Sequence, residues 1–263
     1  MKQVLTIAGS DSGGGAGIQA DLKTFAALKV YGMSVITAVT AQNTTGVLAI
    51  ENISPATVEA QLEAIFTDMQ VDAVKIGMVS REETIEKIAA ALDNYEAARV
   101  VLDPVMVSGT GARLLEPEAE QCLLEELLPR ALLVTPNIPE AEVILDNRIQ
   151  SVTEMEQAAR EIQKLGCDNV VVKGGHLEKE KSTDILYDGS SCSHLCSEVV
   201  ATVNTHGTGC TYSSAAAALL ARGLDVEQAL TGAKEFLTTA LKSSFSPGQG
   251  EGPVHHFHSY YSF

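Results

Sequence analysis

The sequence predicts an α/β fold built on a mostly parallel sheet with helices on both faces. Short apolar runs alternate with helical patterns along nearly the whole chain. The runs are almost continuously hydrophobic, as strands buried on both faces are. Small, polar or charged residues follow one strand after another, at the edge where open parallel sheets bind ligands. The 263 residues, 45% hydrophobic and 20% charged, fit one globular domain spanning 1–263.

Val4-Leu5-Thr6-Ile7-Ala8, ended by Gly9, is a buried strand. Residues 17–28 place Ile18, Leu22, Phe25 and Leu28 on one face of a helix. Residues 34–39 are rich in β-branched side chains and form a second strand, and 46–53 add a further strand or hairpin arm. Ser54 caps a helix whose first turn holds Pro55, where the missing N–H costs nothing. The pattern then gives a strand at 73–76, a helix at 82–92, a strand at 99–102 and a helix at 116–128. A strand at 131–135, helices at 138–145 and 153–165, and a strand at 169–173 follow. Short β-like segments around Asp188-Gly189 mark antiparallel additions between 181 and 203. Helices over 209–221 and 226–241 complete the set. Residues 246–252 are loop, and His255-His256-Phe257-His258 is expected to be a solvated tail without a role.

The formal net charge of -16 repels phosphate backbones, which excludes nucleic acid as a natural partner. A phosphate-bearing small ligand would have to rely on local donors and a metal. The N-terminal residues read as strand rather than export leader, and no apolar stretch reaches the length of a membrane span. Five scattered cysteines make no disulfide framework and fit a reducing cytoplasm. Cys192, His194 and Cys196 lack the second knuckle that a structural zinc site needs.

The run from Gly9 to Gly17 follows a strand and opens a helix, yet fits neither phosphate-loop template. It has no Gly-Lys-Ser/Thr, and Ile18 stands where the third glycine of a dinucleotide fingerprint belongs. A loop closing on a small substrate accounts for it better than a loose turn. Thr205-His206-Gly207-Thr208-Gly209-Cys210 precedes an Ala-rich helix. Glycines at a helix start leave N–H groups aimed at an anion, with the positive end of the dipole behind them. That is the donor set a transferring phosphoryl group requires. The same dipole is expected to lower the thiol pKa of Cys210. A tight helix start with a small buried cysteine fits the same residues. Asn137 and Glu140 share a helix face at three-residue spacing, and Asp103 ends another strand. Either acid can be a cap or turn residue; beside a phosphate loop both become candidates for Mg²⁺, held largely through water.

Taken in order, these segments resemble the ribokinase superfamily, and within it the hydroxymethylpyrimidine/phosphomethylpyrimidine kinases. The carriers are the run from Ala8 to Asp21, Ala41-Gln42-Asn43-Thr44, Lys75-Ile76-Gly77-Met78, Asp103-Pro104-Val105-Met106, Asn137-x-x-Glu140, Lys173-Gly174-Gly175-His176 and His206-Gly207-Thr208-Gly209-Cys210. The resemblance implies a three-layer ribokinase-like sandwich. It also implies two successive phosphoryl transfers from Mg·ATP, first to 4-amino-5-hydroxymethyl-2-methylpyrimidine and then to its monophosphate. By analogy, Gln42 binds the pyrimidine edge, and Gly9, Asp21, Met78 and Val105 belong to the substrate pocket. Asp103 and Glu140 serve the metal, Lys173 and Thr208 contact ATP, and the backbone from Gly207 through Gly209 to Cys210 forms the anion hole. Relatives of this kind are often homodimers. Sugar kinases of the fold carry Asp where Cys210 stands, which leaves the catalytic base in question. Pyridoxal kinase is the alternative within the fold; a binding module without turnover and an NAD-type oxidoreductase fit the residues less well.

Overall fold

The computed structural model describes residues 1–106, 115, 117–175, 177 and 181–261. Glu116 and His176, which entered the sequence argument, lie outside the described residues.

Among the described residues the chain runs β1 (Gln3–Asp11), α1 (Gly17–Ala27), β2 (Tyr31–Asn43), β3 (Gly46–Asn52), α2 (Pro55–Phe66), β4 (Ala73–Ile76), α3 (Glu82–Asn94) and β5 (Val100–Leu102). It continues through α4 (Pro117–Cys122), β6 (Leu133–Val134), α5 (Ile138–Leu145), α6 (Val152–Gln163) and β7 (Asn169–Val172). An antiparallel pair, β8 (Lys181–Tyr187) and β9 (Cys192–Glu198), precedes α7 (Thr208–Ala221) and α8 (Val226–Lys242). The strands form one sheet in the order β3-β2-β1-β4-β5-β6-β7-β8-β9. The six central strands pair in parallel, and β3, β8 and β9 are the antiparallel additions.

Alternation along the central strands sends successive side chains to opposite faces. Leu5, Ile7, Val74, Ile76, Val100, Leu102 and Val134 enter one core, which α2 to α6 cover. Val4, Ala73, Val101, Leu133 and Val171 enter a second, covered by α1, α7 and α8. The arrangement is the three-layer sandwich expected from the resemblance. In α7 the small residues Ala215, Ala216, Ala217 and Ala218 are fully buried, so this helix sits deep against the sheet.

Two expectations need correction. The helix foreseen over 116–128 is α-helical only through Cys122; it widens to a π turn at Leu123–Leu127 and tightens to a 3₁₀ turn at Leu128–Arg130. Pro129 supplies no N–H and its ring crowds the preceding turn, so the regular ladder ends there. The histidine-rich tail is not solvated either: His255 and His256 are buried. The His255 N–H donates to the Ala240 carbonyl at 3.0 Å, and His256 Nε2 lies 3.1 Å from Thr211 Oγ1. Phe257 packs with the core beneath α7 and α8, and that apolar contact carries the neighbouring imidazoles inside.

Candidate active site

β1 runs on to Asp11, whose carboxylate organises the turn after it. Oδ1 accepts from the Gly13 N–H at 2.8 Å, and Oδ2 accepts from those of Gly15 and Ala16 at 2.9 and 2.8 Å. His206 Nε2 lies 3.0 Å from the same Oδ2. Burial works against the charge on Asp11, but the His206 contact and the Ala16 and Gly13 N–H groups hold its carboxyl below the usual range. The glycine run is therefore fastened in place. Gly17 has φ +55, and a Cβ there would collide with the Gly9 carbonyl, so glycine is required.

The opening of α7 meets this turn directly. Gly207 is the N-cap at φ 78, and a Cβ on it would strike the Gly15 carbonyl. The first N–H groups of a helix have no intrahelical acceptor, so those of Gly209 and Cys210 are available to an anion. Asp103, one residue past β5, lies behind them. Its Oδ1 accepts from Lys173 Nζ and Thr135 Oγ1, both at 3.1 Å, and its Oδ2 accepts from Ser213 Oγ at 3.1 Å. Burial opposes ionisation of Asp103, yet Lys173 and Lys75 keep its carboxyl below the ordinary range.

Glu140 and Asn137 form a capping box at the start of α5. The Asn137 N–H donates to Glu140 Oε2 at 2.8 Å, and the Glu140 N–H donates to Asn137 Oδ1 at 2.9 Å. The cap and the site residue are thus the same group. Burial pushes the Glu140 carboxyl up to about 7; Lys173 opposes the rise and Asp103 adds to it. Two carboxylates close enough to raise one of them are a donor set that a divalent cation would relieve. No cluster of three or more His, Cys, Asp or Glu among the described residues could enclose a metal. Asp103 and Glu140 are oxygen donors of the kind Mg²⁺ takes, and an ion there would need further ligands from outside the protein.

The structure moves two residues away from their expected parts. Asp21 is fully buried behind the cavity rather than lining it. Its carboxylate accepts from Thr6 Oγ1 and Ser214 Oγ, both at 2.6 Å, and pairs with Lys75 Nζ at 3.1 Å. The parallel pairing of Thr6 with Lys75 puts both side chains on the α1–α7 face of the sheet, where Asp21 meets them. Lys75 in turn lines the cavity. Burial works against the Lys75 ammonium, but Asp21, Cys210 and Asp103 together hold its pKa above the ordinary lysine value. Cys210 is the other correction. The dipole was expected to lower its thiol pKa; burial pushes it up to about 11, with Lys75 and the Gly17 N–H opposing and Asp21 and Asp103 adding. Desolvation outweighs the helix terminus here.

Gly9, Gln42, Met78, Val105, Lys75 and Cys210 border a first cavity of about 480 Å³. A second, of about 570 Å³, lies between α5, α8 and the β8–β9 pair. Both are of ligand size. They share a wall made by Asn137, Pro139, Lys173, Thr205, Thr208 and Gly209. Asp11, His206 and Lys75 carried no assigned role from sequence, although all three stand inside the motifs that bear the resemblance. The ion pair of Lys234 Nζ with Asp184 Oδ2 at 2.7 Å, bordering the second cavity, had no signal because its members lie on strands and helices far apart in the chain.

The phosphomethylpyrimidine kinase family model matches residues 11–255. The hydroxymethylpyrimidine/phosphomethylpyrimidine kinase of Rhizobium meliloti is 52% identical over 260 residues, covering 98% of this chain and 97% of the relative. Among solved structures, the ADP complex of Bacillus subtilis pyridoxal kinase superposes with a TM-score of 0.92 at 43% identity, covering 98% of each chain. The phosphomethylpyrimidine kinase of Clostridium difficile superposes with a TM-score of 0.82 at 46% identity, covering 92% of this chain and 100% of the other.

Proposed function

Because this chain belongs to the phosphomethylpyrimidine kinase family, we propose that its first cavity holds the aminopyrimidine alcohol and the second the nucleotide. The chain is an ATP-dependent phosphotransferase of thiamine biosynthesis, a hydroxymethylpyrimidine and phosphomethylpyrimidine kinase. The observation that carries the assignment of cavities is the wall they share. Lys173, Thr208 and Gly209 belong to both, so a γ-phosphate held there faces acceptor on one side and ADP on the other.

In the first transfer the hydroxymethyl oxygen attacks the γ-phosphorus as the bond to the β-γ bridging oxygen breaks, and ADP leaves. The hydroxyl proton passes to the Cys210 thiolate. The N–H groups of Gly209 and Cys210 and the Lys173 ammonium take up the spreading negative charge. Lys75, held by Asp21, keeps a positive charge under Cys210. In the second transfer an anionic oxygen of the monophosphate attacks, and no proton has to be removed. Mg²⁺ held by Asp103 and Glu140 would supply charge neutralisation between the phosphates. Gly9, Gln42, Met78 and Val105 are assigned to the acceptor.

The similarity to pyridoxal kinase favours vitamin B6 compounds as a second acceptor class. Steady-state assays with the aminopyrimidine alcohol, its monophosphate and pyridoxal, with product masses recorded, test both readings; a clear preference for pyridoxal would overturn the first. Two smaller assignments accompany these. All five cysteines are free thiols, which supports the cytoplasm, and no helix among the described residues is long and apolar enough to cross a membrane. Exposed Val39, Leu48 and Ile50 on the β2–β3 edge hairpin are where we place a second copy in a homodimer, to be checked by sedimentation equilibrium.

A further inference from the structure

Asp11, Thr40, Gln42 and His206 all border the first cavity. The Gln42 amide has one end 3.4 Å from His206 Nε2 and the other 3.3 Å from Thr40 Oγ1. As placed, the nitrogen faces the histidine and the oxygen faces the threonine. A half-turn about the last bond interchanges the two ends without moving either position.

The available protons choose between these arrangements. His206 Nε2 lies 3.0 Å from Asp11 Oδ2. An ionised carboxylate only accepts, so His206 Nε2 carries a hydrogen and donates it, whether the ring is neutral or charged. The amide end facing that N–H must then be the oxygen, because an NH₂ would set two donors against each other. Thr40 gives the same answer from the other side. Its Oγ1 lies 3.0 Å from the Ser10 carbonyl, which can only accept, so the single hydroxyl hydrogen goes there. The amide end facing Oγ1 must be a donor.

We infer that the Asp11–His206 pair, with Thr40, fixes the Gln42 amide with its oxygen toward His206 and its nitrogen toward Thr40, so that the cavity reads the acceptor ring in one sense only. His206 and Thr40 are positioning residues that act through Gln42. The inference rests on the proposed acceptor and makes it more specific. With the amide held this way, its second oxygen lone pair accepts from an exocyclic amine and its second N–H donates to the adjacent ring nitrogen. A 4-aminopyrimidine presents that pattern, as adenine does to an amide in nucleic-acid recognition. The 4-oxo counterpart presents an acceptor where the amine was and a ring N–H beside it, and it needs the reversed amide.

The test compares 4-amino-5-hydroxymethyl-2-methylpyrimidine with its 4-oxo counterpart, as kcat/KM, in wild type, His206→Ala, His206→Gln and Thr40→Val. Wild type should prefer the amine by about 10²-fold, the discrimination of a bidentate pair. His206→Ala frees the amide to turn and should bring the preference below about tenfold. His206→Gln restores an N–H directed at Asp11 and should restore the preference. Thr40→Val, which removes the other fixed partner at nearly constant volume, should reduce it to an intermediate value. Equal proportional losses on both compounds in His206→Ala and Thr40→Val would overturn the inference and leave the kinase assignment standing. Wild-type turnover of neither compound would overturn both.

Discussion

Raising the pH from 7.5 to 9.0 should accelerate the first phosphoryl transfer relative to the second by about 30-fold. The Cys210 thiol is pushed up to about 11 by burial, with Asp21 and Asp103 adding to the rise. At pH 7 only about one molecule in 10⁴ then carries the thiolate, and the fraction grows tenfold per unit until it approaches 11. Over 1.5 units this lowers the apparent barrier by about 2 kcal/mol. In the proposed mechanism only the first transfer draws on that thiolate, because the second starts from an oxygen already ionised. The Glu140 carboxyl, raised to about 7 chiefly by burial, titrates at the lower edge of the window. In its proposed role it serves both transfers, so its effect cancels in their ratio. Single-turnover rates for the alcohol and for the monophosphate, measured on one enzyme preparation, give that ratio directly. Cys210→Ala should slow the first transfer and abolish the slope. A flat ratio in wild type, or an unchanged slope in Cys210→Ala, would remove Cys210 as the base.

Lys75→Met should destabilise the fold by about 3–5 kcal/mol in urea unfolding, because it leaves the buried Asp21 carboxylate without its cation. Asp21→Leu combined with Lys75→Met should recover most of that loss; a double variant as unstable as the single one would refute the charge argument. The buried tail makes stability depend on pH. Burial pushes His256 down to about 3, with Lys23 and the neighbouring histidines adding. Between the unfolded value near 6.5 and that folded value the unfolded state binds more protons, so unfolding free energy rises with pH by about 1.4 kcal/mol per unit from this group. His256→Gln should flatten the slope between pH 5 and 6.5 relative to wild type, and parallel slopes would show that His256 is not the source.

The amino-acid sequence by itself determined the layered plan. Apolar runs and helical periods imply parallel strands with helices on both faces, and chain-local signals mark the strand ends that carry Gln42, Asp103, Glu140 and Lys173. Local physics also marked the proposed anion site, since Gly207 and Gly209 at a helix start need no distant partner to expose N–H groups. Only the tertiary structure decided what depends on burial and on pairs remote in the chain. It joined Asp11 to His206 across 195 positions and Asp21 to Ser214 across 193. It drew His256 inside and set a second cavity against the first. It also reversed the expected sign at Cys210. A helix dipole is a property of one local segment, whereas desolvation sums every neighbour the fold brings near, and at this thiol the larger sum prevails.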